Sequence, residues 1–188
     1  MFEPITALNA RETHGSVHVG DAGLRGMISL RGDLSRMKSL CKDFGVAVPG
    51  VRETAFKGET GVLWMSPDEL LILLPYADVP DALGRIAKAL KGQHHLAVNV
   101  SDARALLTVQ GPFAREVIAK LAPVDLHPGA FAPGQVLRTR LGQIAAAFWM
   151  TDSQTFNVIC FRSVADYAFD LLAASAAAGP VGHFPRGT

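Results

Sequence analysis

Residues Arg25 to Arg36 read RGMISLRGDLSR, and residues Arg104 to Arg115 read RALLTVQGPFAR. At a displacement of about 79 positions, Arg25 falls on Arg104, Gly32 on Gly111 and Arg36 on Arg115. Between these, Met27, Ile28, Ser29 and Leu30 fall on Leu106, Leu107, Thr108 and Val109. Further along, Trp64-Met65-Ser66 falls on Trp149-Met150-Thr151, which contain the two tryptophans of the chain. The repetition implies one architectural unit used twice, with a small insertion in the second copy. Two copies are too few for a solenoid, which needs about three or more. The expected outcome is a pseudo-twofold globule in which each copy covers the apolar face of the other.

Working outward from the repeat, 188 residues suit one domain or two very small ones. With 49% hydrophobic and 19% charged residues, a substantial core is available and disorder is excluded as the dominant state. The net charge of +1, without a basic run, argues against nucleic-acid binding. No apolar run reaches the length of about 18 residues that a membrane span needs. The first residues lack the charged start and apolar stretch of a signal peptide. Cys41 and Cys160 form no disulfide framework and no Cys-x-x-Cys pair, which suits a reducing cytoplasm. The first 92 residues carry 11 of the 18 Lys and Arg and 11 of the 17 Asp and Glu. The charge-poor remainder either supplies more of the core or meets another chain.

Each copy reads as two strands, a helix, three strands and a helix. In the first, Val17–Val19 and Gly26–Arg31 are strands, and Gly32-Asp33 opens a helix with Leu34, Met37, Leu40, Cys41 and Phe44 on one face. Strands near 51–57, 61–65 and 70–74 follow, then a helix capped by Asp78 that buries Leu83, Ile86, Ala87 and Leu90 and ends at Gly92. In the second, Leu96–Val100 and Ala105–Gln110 are strands, and Phe113, Val117, Ile118 and Leu121 mark a helix face. A loop over 124–135 leads to strands near 136–141, 144–150 and 155–161. The last helix opens on a Ser163/Asp166 capping box, with Tyr167, Leu171 and Ala174 on one face and Phe169 and Leu172 widening the apolar surface. This is an α+β fold, a single domain of two β2-α-β3-α repeats over about 17–92 and 95–178, with mainly antiparallel sheets. Residues 1–16 read as an extended arm and 180–188 as a frayed tail.

The stretch Leu96–Leu121, LAVNVSDARALLTVQGPFAREVIAKL, resembles the strand-loop-strand-helix of the folate-binding domain in the glycine-cleavage aminomethyltransferase family. That family has the same duplicated architecture, with first strands exchanged between the halves. The chain as a whole, over about residues 15–178, is more similar to the gamma-subunit family of heterotetrameric sarcosine oxidase. The segments that carry this likeness are Trp64–Leu71, Val124–Pro128 and Phe161–Tyr167. The resemblance implies assembly with alpha, beta and delta subunits in a complex that oxidises sarcosine to glycine. Such a complex passes the one-carbon unit to tetrahydrofolate and forms hydrogen peroxide. It further implies that FAD, FMN, NAD and tetrahydrofolate belong to partner subunits, with no cofactor and no catalytic residue in this chain. Folate-binding relatives place an acid two residues before the serine that aligns with Ser101. Here that residue is Asn99, whose neutral amide is no substitute for a carboxylate facing a pterin amine.

The remaining candidates weigh mostly toward structure. Gly32 and Gly111 stand between strand and helix as turn residues, and neither belongs to a dinucleotide or phosphate motif. His94 and His95, as strand neighbours, face opposite ways and make a poor metal pair. Asp125-x-His127 has better spacing but no third ligand in view. Ser101-Asp102 has no positioned base. Cys41 and Cys160 read as buried small hydrophobes. Arg25 and Arg104 match as surface or interfacial ion pairs. The candidate partner interface comprises Arg104, His127, Phe131 and Trp149, because arginine and aromatics are enriched among interface hot spots. The function expected is a non-catalytic assembly subunit. The alternative is a stand-alone folate-dependent one-carbon transferase or folate-binding module.

Overall fold

The computed structural model describes residues 3–184; positions 1–2 of the arm and 185–188 of the tail lie outside the described residues. The chain divides into two compact units, Leu24–Asp102 (the continuous unit) and Met1–Gly23 together with Ala103–Thr188 (the discontinuous unit). In chain order, the discontinuous unit opens with strands β1 (Glu12–His14) and β2 (His18–Asp21). The continuous unit follows with β3 (Gly26–Gly32), α1 (Lys38–Asp43), β4 (Thr54–Lys57), β5 (Thr60–Ser66), β6 (Glu69–Leu74), α2 (Val79–Ala89) and β7 (His95–Asn99). The chain then returns with β8 (Arg104–Gln110), α3 (Ala114–Ala119), β9 (Val136–Leu141), β10 (Ile144–Asp152), β11 (Thr155–Phe161) and α4 (Ala165–Ala177).

Both sheets are antiparallel throughout, as the short connections demand. The continuous unit orders its strands β4-β5-β6-β3-β7, and the discontinuous unit β1-β2-β8-β11-β10-β9. Strand β2 precedes the continuous unit yet pairs with β8, and β7 precedes β8 yet pairs with β3. The ranges read from the sequence, about 17–92 and 95–178, therefore do not coincide with the two units.

One face of each sheet packs on helices. In the continuous unit Ile28, Leu30, Val62, Leu70 and Ile72 meet Leu40 and Cys41 of α1 and Val79 and Ile86 of α2. In the discontinuous unit Val19, Leu107, Val109 and Val158 meet Val117 and Ile118 of α3 and Ala168, Phe169 and Leu172 of α4. A Phe131–Phe148–Phe156 triad with ring centroids 5.8 to 6.1 Å apart fills the remainder. Gly32 and Gly111 both have positive φ (149° and 139°), where β-branched or bulky residues would be strained.

Several sequence expectations change. The two tryptophans are not equivalent. Leu30 pairs with Leu70, which pairs with Trp64, whereas Val109 pairs with Phe156, which pairs with Met150. Trp64 thus corresponds to Met150, one residue along from Trp149, and that single step turns the two rings to opposite sheet faces. Trp64 packs on the helix side. Asp78 caps nothing with its side chain, since the chain enters α2 through a 3-10 turn at Tyr76–Asp78. The Ser163/Asp166 box is also absent: α4 follows a 3-10 turn at Arg162–Val164 with no side-chain cap, and Asp166 pairs with Arg11 instead. The face of α4 is shifted, for Phe169 and Leu172 are core with Leu171 half-buried against it, while Tyr167 and Ala174 are exposed. Helix α4 is apolar almost all round, so periodicity had little to choose between. On α2, Ile86 and Leu90 are buried, but Ala87 is exposed. The arm contains a strand, β1, and the first tail residues are held by the Glu116 carboxylate.

Candidate functional site

The two sheets differ most at one edge. In the continuous unit β7 ends the sheet, bonded among the described residues to β3 alone. Its Ala97 points to the helix-packed core, so Leu96 and Val98 point the other way, and they remain 56% and 40% exposed. The equivalent strand in the discontinuous unit is β2. Leu30 pairs with Ala97 as Val109 pairs with Val19, which places His18 and Gly20 where β7 has Leu96 and Val98. Strand β1 covers that edge, with His14 opposite His18 and Glu12 opposite Gly20. One sheet thus carries a covered polar edge and the other a bare apolar one. Bare apolar edges are templates for pairing with another chain.

The strands end alike. The Asp21 carboxylate accepts from Gly23 N–H at 3.1 Å, and the Asn99 side-chain oxygen accepts from Ser101 N–H at 3.0 Å. Asp21 then uses its second oxygen to hold the arm, accepting from Thr6 Oγ1 and from Ala10 N–H. Asn99 instead accepts from the Ser101 hydroxyl at 2.6 Å, and that hydroxyl accepts from Met27 N–H at 2.9 Å. Ser101 is buried and wholly engaged in this turn, so its hydroxyl is not presented as a nucleophile. Neighbouring Asp102 accepts from Tyr76 Oη at 3.1 Å.

Of the four residues expected at an interface, two are buried within the chain. Phe131 is 2% exposed within the phenylalanine triad, and Trp149 is 3% exposed. A side chain already buried in its own chain does not anchor a partner. Arg104 is half-buried at the start of β8, opposite Phe161, and His127 is exposed. Asp125 and His127 do lie together, but through the backbone: Asp125 accepts from His127 N–H at 2.8 Å, and His127 Nδ1 accepts from Gly129 N–H at 3.2 Å. The loop they occupy is latched by Arg115, which donates to the carbonyls of Leu126 (2.5 Å) and Phe131 (2.9 Å). Burial lowers the Arg115 pKa, a cost those carbonyls offset.

Arg25 contacts Glu59 within the continuous unit. Asp33 accepts from Ser35 N–H and Oγ, filling the helix start that otherwise invites an anion, and these bonds hold its carboxyl below the usual range. His94 and His95 border an open cavity of about 680 Å³ with Arg31, Asp33 and Asp68, but His95 Nδ1 is turned to the Gln93 carbonyl. Burial pushes the Cys41 and Cys160 thiols up to about 11, so both are inert near neutrality.

Sequence reading missed three features. Leu96 and Val98 were visible as alternation in HLAVN, but their exposure depends on which strand ends the sheet. Glu12, His14 and His18 gather only because β1 pairs with β2. Glu116 is 4% exposed and accepts from Val181 N–H (2.6 Å), Gly182 N–H (3.0 Å) and Phe184 N–H (3.4 Å). Burial works against its charge, yet these amides prevail and hold its carboxyl below the ordinary value of 4.5.

A sequence model of the sarcosine oxidase, gamma subunit family (SoxG) matches residues 33–178. A sarcosine oxidase subunit gamma from an Arthrobacter species is 34% identical over 123 residues, 64% of this chain and 60% of that protein. The corresponding subunit from Corynebacterium sp. (strain P-1) is 31% identical over 124 residues, again 64% and 60%. The matched stretch thus spans less than two thirds of these relatives. Among solved structures, a chain of the heterotetrameric sarcosine oxidase of Corynebacterium sp. U-96 superposes with a TM-score of 0.78 at 26% identity, covering 91% of both chains. The glycine cleavage system aminomethyltransferase T of Bartonella henselae superposes with a TM-score of 0.60 at 12% identity over 81% of this chain and 44% of that one, a likeness of fold alone.

Proposed function

The chain belongs to the sarcosine oxidase gamma subunit family, and from that premise we propose that it is a non-catalytic assembly subunit of a heterotetrameric sarcosine oxidase. Its partners would be the alpha, beta and delta subunits. Sarcosine demethylation to glycine, one-carbon transfer to tetrahydrofolate and hydrogen peroxide formation would occur on FAD, FMN, NAD and folate sites in those partners. The observation that carries this reading is the bare outer edge of β7, with Leu96 and Val98 exposed where β2 is covered. An extended segment of a partner subunit, apolar at alternate positions, would add there as a further antiparallel strand, as β1 does on β2. Burying what remains exposed of Leu96 and Val98 contributes roughly 1 kcal/mol each, on top of main-chain bonds. Arg104 and His127 stand as secondary contacts. The matching strand orders of the two sheets support descent from one doubled unit, forming a single duplicated domain. Two inert thiols suit a reducing cytoplasm. Among the described residues no helix is long and apolar enough to cross a membrane.

The likeness to folate-binding relatives, which place an acid at the position of Asn99, argues against tetrahydrofolate in this chain. Asn99 offers an amide there, and its oxygen is already held by Ser101. Co-expression with the partner subunits tests the proposal. Co-elution of the wild-type chain, lost in Leu96→Asp/Val98→Asp, is the expected result. Independent elution of the wild-type chain at micromolar concentration contradicts the assembly role, whereas undiminished co-elution of the variant contradicts only the β7 edge. Calorimetry with tetrahydrofolate is expected to show no heat at millimolar ligand.

A further inference from the structure

The geometry points to a divalent transition-metal site on the β1–β2 hairpin, formed by Glu12, His14 and His18 and suited to zinc. His14 and His18 are direct cross-strand partners, and Glu12 lies two residues before His14 on the same face of β1. Glu12 Oε2 is 3.2 Å from His18 Nε2, and Glu12 Oε1 is 4.0 Å from His14 Nε2. The two imidazoles stack with centroids 4.6 Å apart and planes inclined by 29°. All three ligand atoms fall within 4.8 Å of one another. A tetrahedral zinc with bonds of about 2.0–2.1 Å sets its ligand atoms about 3.3 Å apart. The Glu12–His18 pair already meets this separation, and the third ligand, His14, with its side chain 73% exposed, has room to rotate inward.

A second observation comes from Gly20, opposite Glu12. A Cβ at this position would stand 2.9 Å from His18 Cε1 and 3.2 Å from its Nε2. Gly20 is not among the positive-φ glycines, so the backbone does not require glycine there. What it supplies is room for the His18 ring to lie across the hairpin beside the carboxylate.

The donor set decides the metal class. Two imidazoles and one carboxylate suit zinc, nickel or copper, whereas calcium and magnesium demand more oxygens. Three protein ligands leave a fourth position for water or for a donor from another chain. Such an ion would tie β1 to β2 and thereby fasten the strand that covers this edge. This inference stands apart from the assembly reading, because it concerns the chain alone.

The test is calorimetric titration of the chelator-stripped, full-length chain with zinc chloride, using magnesium chloride as the comparison. One zinc per chain is expected, with no magnesium heat. His14→Ala and His18→Ala should each weaken zinc binding by about tenfold or more, while His94→Ala leaves it unchanged. Zinc should also slow amide exchange at Thr13 in the wild-type chain but not in His14→Ala. Absence of one-to-one zinc binding, or binding indifferent to both hairpin histidine substitutions, overturns the proposal.

Discussion

Strands β2 and β7 occupy the same place in sheets of matching order, yet one edge is closed and the other open. On β2, the outward positions are His18 and Gly20, and β1 pairs alongside them, with His14 opposite His18 and Glu12 opposite Gly20. On β7 the same positions are Leu96 and Val98, with no strand beyond among the described residues. The local backbone does not explain the contrast, for both strands end in the same side-chain-capped turn, at Asp21 and at Asn99. Side-chain chemistry does. Polar, charged residues manage an edge in water, and an exposed apolar pair does so only with a partner. The carboxylate at Asp21 fastens the arm that covers β2, and the amide at Asn99 fastens only its own turn.

The largest effect expected is in assembly. Leu96→Asp/Val98→Asp should weaken association with the partner subunits by more than about 100-fold, since charges at the core of an interface carry heavy desolvation costs. The same variant should shift the stability of the isolated chain by less than about 0.5 kcal/mol, as surface substitutions ordinarily do. Size-exclusion co-elution and thermal melts read the two sides separately.

Opening the closed edge comes next. Asp21→Ala removes the acceptor for Thr6, Ala10 and Gly23, and should cost about 1–3 kcal/mol, with faster exchange through β1. The counterpart Asn99→Ala should cost less, because its bonds are confined to one turn. Equal losses would remove the distinction drawn between the edges.

How much of this was legible in the sequence follows from what periodicity encodes. Apolar periodicity and turn formers carried most of the strand and helix order, and the short connections carried the antiparallel pairing. The pairing of β2 with β8 has no local signature, since no local pattern says which sheet His18–Asp21 joins. The tryptophan pairing misled because a one-residue offset, invisible in composition, reverses a side chain in a strand. Phe131 and Trp149 were plausible anchors by residue type, but burial is set by neighbours distant in sequence. The edge character of β7, and with it the role of Leu96 and Val98, is a property of sheet order and has no local signature.

Smaller effects sharpen the contrast within the discontinuous unit. Glu116 holds residues Val181, Gly182 and Phe184 through its ionised form. Its pKa is lowered on folding, so the stability it contributes is present above about pH 4.5 and is lost as pH falls through the depressed folded value. Proteolysis or exchange at residues 181–184 should rise over that acidic window, and Glu116→Gln should show the rise already at neutral pH. Smallest of all, acrylamide should quench Trp64→Phe, which retains buried Trp149, less than Trp149→Phe, which retains partly exposed Trp64.

Hydrogen exchange over residues 95–99, compared between the isolated chain and the assembled oxidase, tests the open edge most directly. Slowing of β7 on assembly is the predicted result, with β2 equally protected in both states. Unchanged exchange in β7, with protection arising elsewhere on the chain, would contradict it.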